Sequence, residues 1–409
     1  MGQYLKSNDV MPELLFHGGI VADDQNIWLI LTGFNVLMQI ERRTGKITLC
    51  EVISEYNHTM NKVAYRFLFK HENKLILLPY NEKDICIYDI NENKFEHIEL
   101  DMTYINEENA WKFSGYEKIG DKVIVYGVYS LILIIHLPTF EIVYLDLKKK
   151  LPKDLGAELW FWEYSYSQNN KLFLVPLKYP CIIELDICSN DIQYYEIPEK
   201  KDAYMDNPVF NGSSLYYINR KEEGMVKLTR YDLESGKIES YGLGIEKIGS
   251  YRTFSFISCV NNVLWMLPGA CGEGRKFYIS EKRVEKIDEL PVIPERKLRI
   301  KFPYRFNYNN GFLDENGHII AIHAWTRQLI DIDAVEGKIK AIPIHKSDRM
   351  RWSDLFDEIY RDSYCGMHTE WMDWMLEVYL NKIVTAGHSE NSDLKGMIGT
   401  NIYKSIKSI

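Results

Sequence analysis

The sequence predicts an all-β fold that is built from seven similar units of four antiparallel strands. Three observations support this: one turn motif recurs seven times, a second turn motif recurs in step with it, and short apolar runs lie between them. The later turn of each unit is the clearer marker, and its copies are Gly45-Lys46, Asn93-Lys94, Phe140-Glu141, Asn190-Asp191, Gly236-Lys237, Lys282-Arg283 and Gly337-Lys338. Successive copies are 48, 47, 50, 46, 46 and 55 residues apart, so the chain repeats with one period.

The earlier turn of each unit follows the same spacing. It lies at or next to Asn26, Asn73, Asp121, Asn170, Ser213, Asn262 and Gly317. Residues 75–78, 172–175 and 264–267 follow three of these turns as β-rich runs, and a proline ends each run. The two markers therefore define the same seven units.

An aspartate precedes the later turn in four units. These residues are Asp89, Asp186, Asp232 and Asp331. Because an aspartate carboxylate accepts hydrogen bonds from the backbone of a following turn, we interpret all four as structural.

Four strands in about 45 residues, joined by tight hairpins, form a sheet that cannot bury both of its faces alone. Seven such sheets packed in a ring bury every face, whereas the coils of a linear β-solenoid are usually shorter than this period. The sequence therefore predicts a seven-bladed β-propeller over residues 1–344, with blade boundaries near residues 55, 103, 150, 200, 246 and 296.

The turn that runs from Tyr231 to Lys237, Tyr-Asp-Leu-Glu-Ser-Gly-Lys, resembles the turns of kelch-like and quinoprotein-like propellers. The resemblance covers about residues 14–344 and implies the propeller fold. It identifies no particular family, because the chain lacks a Trp-Asp repeat signature and has one Gly-Gly pair, Gly18-Gly19, where kelch repeats each carry one. Likeness of fold transfers no activity.

The period stops after residue 344, and the sequence predicts an α-helical C-terminal extension over residues 345–409. Helices are expected at 353–361 and 369–385. The second has one apolar face, formed by Trp371, Trp374, Met375, Val378 and Tyr379. Since the same helix carries three acidic residues and little basic charge, we expect this face to dock on the propeller and not on a membrane.

The composition narrows the class of partner and the location. The net charge of −9 argues against a nucleic-acid partner. The seven cysteines include no C-x-x-C pair, which favours free thiols and a cytoplasmic location.

Neither a signal peptide nor a membrane-spanning helix is expected. No cofactor is predicted. No metal site is predicted either, because His318 and His323 face opposite sides of a strand and the remaining histidines show no ligand spacing.

A binding site is expected on the face that carries the longer loops, where the first strand of each blade starts at the mouth of the central channel. The predicted strand starts place aromatic and basic residues together in five units: Phe16-His17, Tyr65-Arg66, Trp111-Lys112, Tyr251-Arg252 and Tyr304-Arg305. The predicted ligand-binding residues are His17, Arg66, Lys112, Trp162, Arg252, Tyr304, Arg305, His323, Trp325 and Arg327. Such a cluster of cations would bind a carboxylate, sulfate or phosphate.

Three interpretations stay open at this stage. The first is a non-catalytic binding propeller for an acidic glycan, a phosphorylated metabolite or an acidic peptide. The second is a lyase or hydrolase acting on an anionic sugar, with Glu163 or His17 as general acid or base. The third is a protein-interaction scaffold that recruits a partner through its C-terminal helices. The cations could instead pair with Glu163, Asp206 or acidic loop residues, which would leave no ligand site.

Overall fold

The chain folds into seven four-stranded antiparallel sheets, which are the blades of a β-propeller. The computed structural model describes residues 17–31, 35–53, 64–104, 113–127, 130–147, 150–151, 161, 165–176, 179–198, 205–219, 224–246, 252–269, 272–291, 308–323, 326 and 328–346. The predicted C-terminal helices, with Trp371 and Trp374, lie outside these residues. The predicted number of blades and their architecture are confirmed.

The first four blades contain sixteen strands. Blades 1 and 2 consist of β1 (His17–Ala22), β2 (Asn26–Leu31), β3 (Val36–Glu41), β4 (Lys46–Val52), β5 (Tyr65–His71), β6 (Lys74–Pro79), β7 (Asp84–Asp89) and β8 (Lys94–Glu99). A short 3-10 helix, Met102–Tyr104, follows β8. Blades 3 and 4 consist of β9 (Phe113–Ile119), β10 (Lys122–Gly127), β11 (Leu131–His136), β12 (Glu141–Asp146), β13 (Tyr166–Gln168), β14 (Lys171–Leu174), β15 (Cys181–Asp186) and β16 (Ile192–Glu196).

The remaining three blades follow the same order, and one short strand comes after them. Blades 5 and 6 consist of β17 (Met205–Asn211), β18 (Ser214–Asn219), β19 (Met225–Asp232), β20 (Ile238–Glu246), β21 (Phe254–Val260), β22 (Val263–Pro268), β23 (Gly274–Tyr278) and β24 (Arg283–Ile287). Blade 7 and the final strand consist of β25 (Tyr308–Leu313), β26 (His318–His323), β27 (Gln328–Asp333), β28 (Lys338–Pro343) and β29 (His345–Lys346).

The later turn of each unit owes its sequence to backbone geometry. Its first residue has a positive φ in every blade: Gly45 (75°), Asn93 (52°), Phe140 (54°), Asn190 (59°), Gly236 (67°), Lys282 (52°) and Gly337 (76°). Glycine and asparagine tolerate this left-handed conformation best, which explains why they occupy five of the seven positions. The marker used to count the blades is therefore a conformational requirement of the hairpin.

Aspartates stabilise several of these turns as expected. Asp186 Oδ1 accepts hydrogen bonds from the main-chain nitrogens of Cys188 and Ser189, both at 2.9 Å, and these bonds lower the pKa of Asp186. Asp89 and Asp232 act in the same way.

The interpretation of Asp331 as a turn residue is wrong. Asp333 forms the turn in blade 7, where its Oδ1 accepts from Val335 N (3.1 Å) and Glu336 N (2.9 Å). Asp331 lies two residues earlier on β27, and its carboxylate contacts Arg42 of blade 1 instead.

Apolar layers join the blades into a closed ring. The described residues form seven apolar clusters, and each combines side chains of two neighbouring blades. In the cluster that joins the last blade to the first, Ile320 and Leu329 of blade 7 pack with Ile27 and Leu29 of blade 1. The first strands of adjacent blades lie against each other, so they line the centre of the ring.

A second set of contacts closes the ring between blades 7 and 1. The Arg42 guanidinium donates to Asp331 Oδ2 and to Asp314 Oδ2, each at 2.9 Å. His318 Nδ1 lies 2.7 Å from Asp331 Oδ1. Burial opposes ionisation of Asp331, but the hydrogen bonds from Arg42 and His318 outweigh it and lower its pKa.

The end of the described chain also belongs to this junction. Strand β29 pairs in parallel with β4 of blade 1, and His345 N donates to Gly45 O at 3.0 Å. Residues 345 and 346, which open the predicted helical extension, are thus a fifth strand on blade 1. The segment that follows blade 7 is therefore hydrogen-bonded to the outer strand of blade 1.

The five described cysteines form no disulfide, and they differ in accessibility. Cys188 is exposed, whereas burial raises the pKa of the Cys50 and Cys181 thiols to about 12 and that of Cys259 to about 11. Since the thiolate is the reactive form, we expect iodoacetamide to modify Cys188 before the other four described cysteines. Peptide mass spectrometry of the native protein measures this, and labelling of Cys50 or Cys181 at the rate of Cys188 would contradict the described packing.

Candidate functional site

Among the described residues, the start of the innermost strand has the same irregularity in six blades. The pairing register of the first two strands shifts at this point, which is the mark of a β-bulge. The bulged positions are Gly18-Gly19, Arg66, Ser114, Asn207-Pro208, Ser255 and Asn309-Asn310. Bulges at the rim of a closed sheet assembly redirect side chains and are common next to binding sites. This ring of bulges is the candidate functional site.

Two bulged side chains reach forward to the next blade. Ser114 Oγ donates to Phe161 O at 2.8 Å, and Asn207 Nδ2 donates to Phe254 O at 2.6 Å. Each acceptor is the first paired residue of the neighbouring blade, and it is buried. The polar bulges therefore hold adjacent strand starts at a fixed spacing around the mouth.

The observed register corrects the predicted strand starts in three blades. The innermost strands begin at Phe113, Phe254 and Tyr308, so Lys112, Arg252 and Arg305 precede them. A buried aromatic ring, and not the aromatic-basic pair, marks these starts. Lys112, Arg252 and Arg305 are therefore not at positions equivalent to that of Arg66 in blade 2. Among the described bulges, the one in blade 2 carries a basic residue.

That residue, Arg66, follows Tyr65 at the start of β5 and is half-buried. Its guanidinium carbon lies 5.2 Å from the centre of the Phe67 ring and 5.5 Å from that of Tyr80. Tyr65 is buried, and its hydroxyl donates to Asp84 Oδ1. Aromatic rings thus hold the positive charge of Arg66 at the rim of the channel.

Arg252 lies at the junction of blades 5 and 6. Its Nε is 3.7 Å from Oδ1 of Asp206, and the side chains are 21% and 2% exposed. This is one of the ion pairs considered from the sequence as an alternative to ligand binding. The Arg252 guanidinium is therefore partly accessible, whereas the Asp206 carboxylate is buried. Asp206 lies one residue before the bulge at Asn207.

His323 ends β26 and is fully buried. Its Nδ1 lies 2.6 Å from Thr326 Oγ1, and Thr326 Oγ1 donates to Gln328 Oε1 at 2.8 Å. The imidazole also packs edge-on against the ring of Tyr308, 5.1 Å away. This burial places His323 behind the surface of the mouth, where it orders the turn at Thr326.

The other predicted site residues are not all described. The backbone of His17 starts β1, but its side chain is outside the described part. Seven further predicted residues lie entirely outside the described part of the chain: Lys112, Trp162, Glu163, Tyr304, Arg305, Trp325 and Arg327. The sequence prediction did not include Ser114 or Asn207 among the ligand-binding residues, because neither side chain carries a charge.

The described residues contain no cluster of three or more His, Cys, Asp or Glu that could hold a metal ion. They also contain no helix that is long and apolar enough to span a membrane.

Together, the fold and its ring of bulges define a seven-bladed propeller with a polar channel mouth. No protein-family model matches the chain, and no curated protein matches it in sequence.

Solved structures share the fold. A structure of streptogramin B lyase is 12% identical, with a TM-score of 0.56 over 77% of this chain and 93% of the other. Virginiamycin B lyase from Staphylococcus aureus is 15% identical, with a TM-score of 0.55 over 76% and 92%. The WD40 repeats of RRP9 are 10% identical, with a TM-score of 0.52 over 76% and 88%. At these identities the similarity shows the fold alone.

Proposed function

We propose that this protein is a non-catalytic binding propeller that recognises an anionic ligand at the channel mouth. The observation that carries the proposal is Arg66, a half-buried cation at a bulged strand start, held against the rings of Phe67 and Tyr80. Guanidinium groups bind carboxylate, sulfate and phosphate through paired hydrogen bonds. Arg252, which lies two residues before the innermost strand of blade 6, supplies a second, partly accessible guanidinium.

The ligand class is a polyanion: an acidic glycan, a phosphorylated metabolite or an acidic peptide. The cysteine content supports a cytoplasmic setting, where each of these occurs. A protein partner with an acidic segment belongs to the same class of ligand. The net charge of −9 supports exclusion of nucleic acid, since the chain has no overall basic balance.

We expect Arg66→Gln to weaken binding of a sulfated oligosaccharide at least about tenfold, because a hydrogen bond to a charged group contributes roughly 1.5–3 kcal/mol. Titration calorimetry measures this at two salt concentrations, and binding should weaken as salt screens the charges. A polyglutamate peptide titrated in parallel distinguishes a sulfated ligand from a carboxylate ligand.

Lys94→Gln is the matched control, because Lys94 is exposed and begins β8 at a turn on the opposite face of the ring. Equal affinities of the two variants, or no binding by the parent protein, would contradict the proposal. Arg252 is a less suitable test residue, because its replacement also removes the partner of the buried Asp206.

The competing function is a lyase or hydrolase on an anionic sugar. Incubation of the oligosaccharide with the parent protein distinguishes the two, because a lyase leaves an unsaturated product and a hydrolase leaves new reducing ends. Turnover that is lost in Glu163→Gln or His17→Ala would favour the enzyme. Binding without turnover supports the binding propeller.

A further inference from the structure

One asparagine of blade 1 bonds to both ends of the connection that leads to blade 2. Asn35 directly precedes β3, at the end of the blade where β1 starts, and it is 4% exposed. Its carbonyl oxygen accepts a hydrogen bond from Ile53 N at 2.9 Å, and its side-chain Oδ1 accepts one from Ala64 N at 2.8 Å. Because Ile53 and Ala64 flank residues 54–63, Asn35 fixes the two ends of this connection relative to each other.

The main-chain part of this arrangement recurs in other blades, whereas the side-chain part does not. In blades 2, 3 and 4, the carbonyl oxygen of the residue before the third strand also accepts a hydrogen bond from the residue after the fourth strand. These residues are Lys83, Ser130 and Pro180. Among the four described residues at this position, Asn35 is the one whose side chain bonds to the next blade. The contact of its Oδ1 with Ala64 is therefore an addition to the repeated blade structure.

Ala64 connects this contact to the guanidinium at the channel mouth, because it lies two residues before Arg66. The carbonyl oxygen of Ala64 accepts hydrogen bonds from Tyr80 N (2.8 Å) and Asn81 N (3.1 Å). Tyr80 supplies one of the two aromatic rings that hold the Arg66 guanidinium, whose carbon lies 5.5 Å from the ring centre. The main chain of Ala64 thus links Asn35 both to the strand that carries Arg66 and to the segment that carries Tyr80.

We infer that Asn35 is a positioning residue for anion binding at Arg66. Its amide oxygen fixes Ala64, and Ala64 in turn fixes Arg66 and Tyr80. In blades 3 and 5 a bulged side chain holds the next strand start, whereas the bulge of blade 1 consists of two glycines. The side chain of Asn35 performs this role for blade 1. The inference rests on the proposed function of the channel mouth and adds a residue that does not itself touch the ligand.

Asn35→Gly tests the inference, because glycine keeps the left-handed backbone of this residue (φ 50°) and removes the amide oxygen. We expect the variant to bind a sulfated oligosaccharide about fivefold more weakly than the parent protein. In the Arg66→Gln background the same change should cause no further loss, because a positioning residue acts through the group that it positions. Ser130→Gly is the matched control, since Ser130 forms the same main-chain bond in blade 3, and its affinity should equal that of the parent. Titration calorimetry measures these affinities.

A nuclear magnetic resonance measurement without ligand distinguishes this inference from the proposed function. The rings of Phe67 and Tyr80 should shift the side-chain signals of Arg66 in arginine-labelled protein, and Arg66→Gln identifies these signals by their loss. We expect the ring-induced shift to shrink in Asn35→Gly and to persist in Ser130→Gly. If the parent binds no oligosaccharide but the shift shrinks, the proposed function is wrong, whereas the control of Arg66 by Asn35 is supported.

Two results would overturn the inference. The first is an unchanged Arg66 shift in Asn35→Gly. The second is a loss of affinity on adding Asn35→Gly to Arg66→Gln that equals the loss in the parent, because Asn35 would then act on binding independently of Arg66.

Discussion

Replacing Arg42 with methionine is expected to lower the free energy of unfolding by about 3–5 kcal/mol. The Arg42, Asp314 and Asp331 side chains are 8%, 7% and 12% exposed, so the variant would leave two carboxylates buried without their cation. The affected contact joins the last blade to the first, and its loss should weaken closure of the ring. Urea denaturation followed by intrinsic fluorescence measures the change.

Arg43→Met is the control, because Arg43 is the next residue and its side chain is exposed. It should change stability by less than about 0.5 kcal/mol. The defect of Arg42→Met should also shrink in acid, because the stability from the lowered pKa of Asp331 is lost as the pH falls through that pKa. Equal stability of the two variants near neutral pH would show that the apolar layers alone close the ring.

Gly45→Ala is expected to be at least as damaging, at more than about 4 kcal/mol. A Cβ on Gly45 would lie 2.2 Å from the carbonyl oxygen of Pro343, and the backbone there has φ +75°. The turn of blade 1 and the end of blade 7 would have to separate, which would also disturb the pairing of β29 with β4.

Gly337→Ala isolates the contribution of the backbone. Gly337 occupies the same turn position with φ +76°, and a Cβ there meets nothing within 4 Å. Its cost should be the conformational one alone, about 1–2 kcal/mol. Thermal melts of the two variants compare them directly, and equal losses would mean that the approach of Pro343 to Gly45 contributes nothing.

The repeat and the fold could be predicted because hairpin chemistry is local. A residue such as Asn93 or Gly236 is chosen by the positive φ of its own turn, so the spacing of the turns reports the number of blades. Alternating strands and tight turns then leave few architectures that bury both faces of every sheet.

The junction of the ring and the details of the mouth could not be predicted in this way. Arg42 and Asp331 are 289 residues apart, and no spacing rule connects them. The predicted strand starts at Lys112, Arg252 and Arg305 were displaced because the connections between blades vary in length and contain no turn marker.

The most direct test of the proposed function is a crystal structure of the protein with a sulfated oligosaccharide bound. We expect a sulfate group within hydrogen-bonding distance of the Arg66 guanidinium, on the face where the bulges of the innermost strands lie. Arg252 should turn towards the ligand while Asp206 stays buried behind it. A mouth without ligand at saturating concentration, with both arginines held by protein carboxylates, would contradict the proposal.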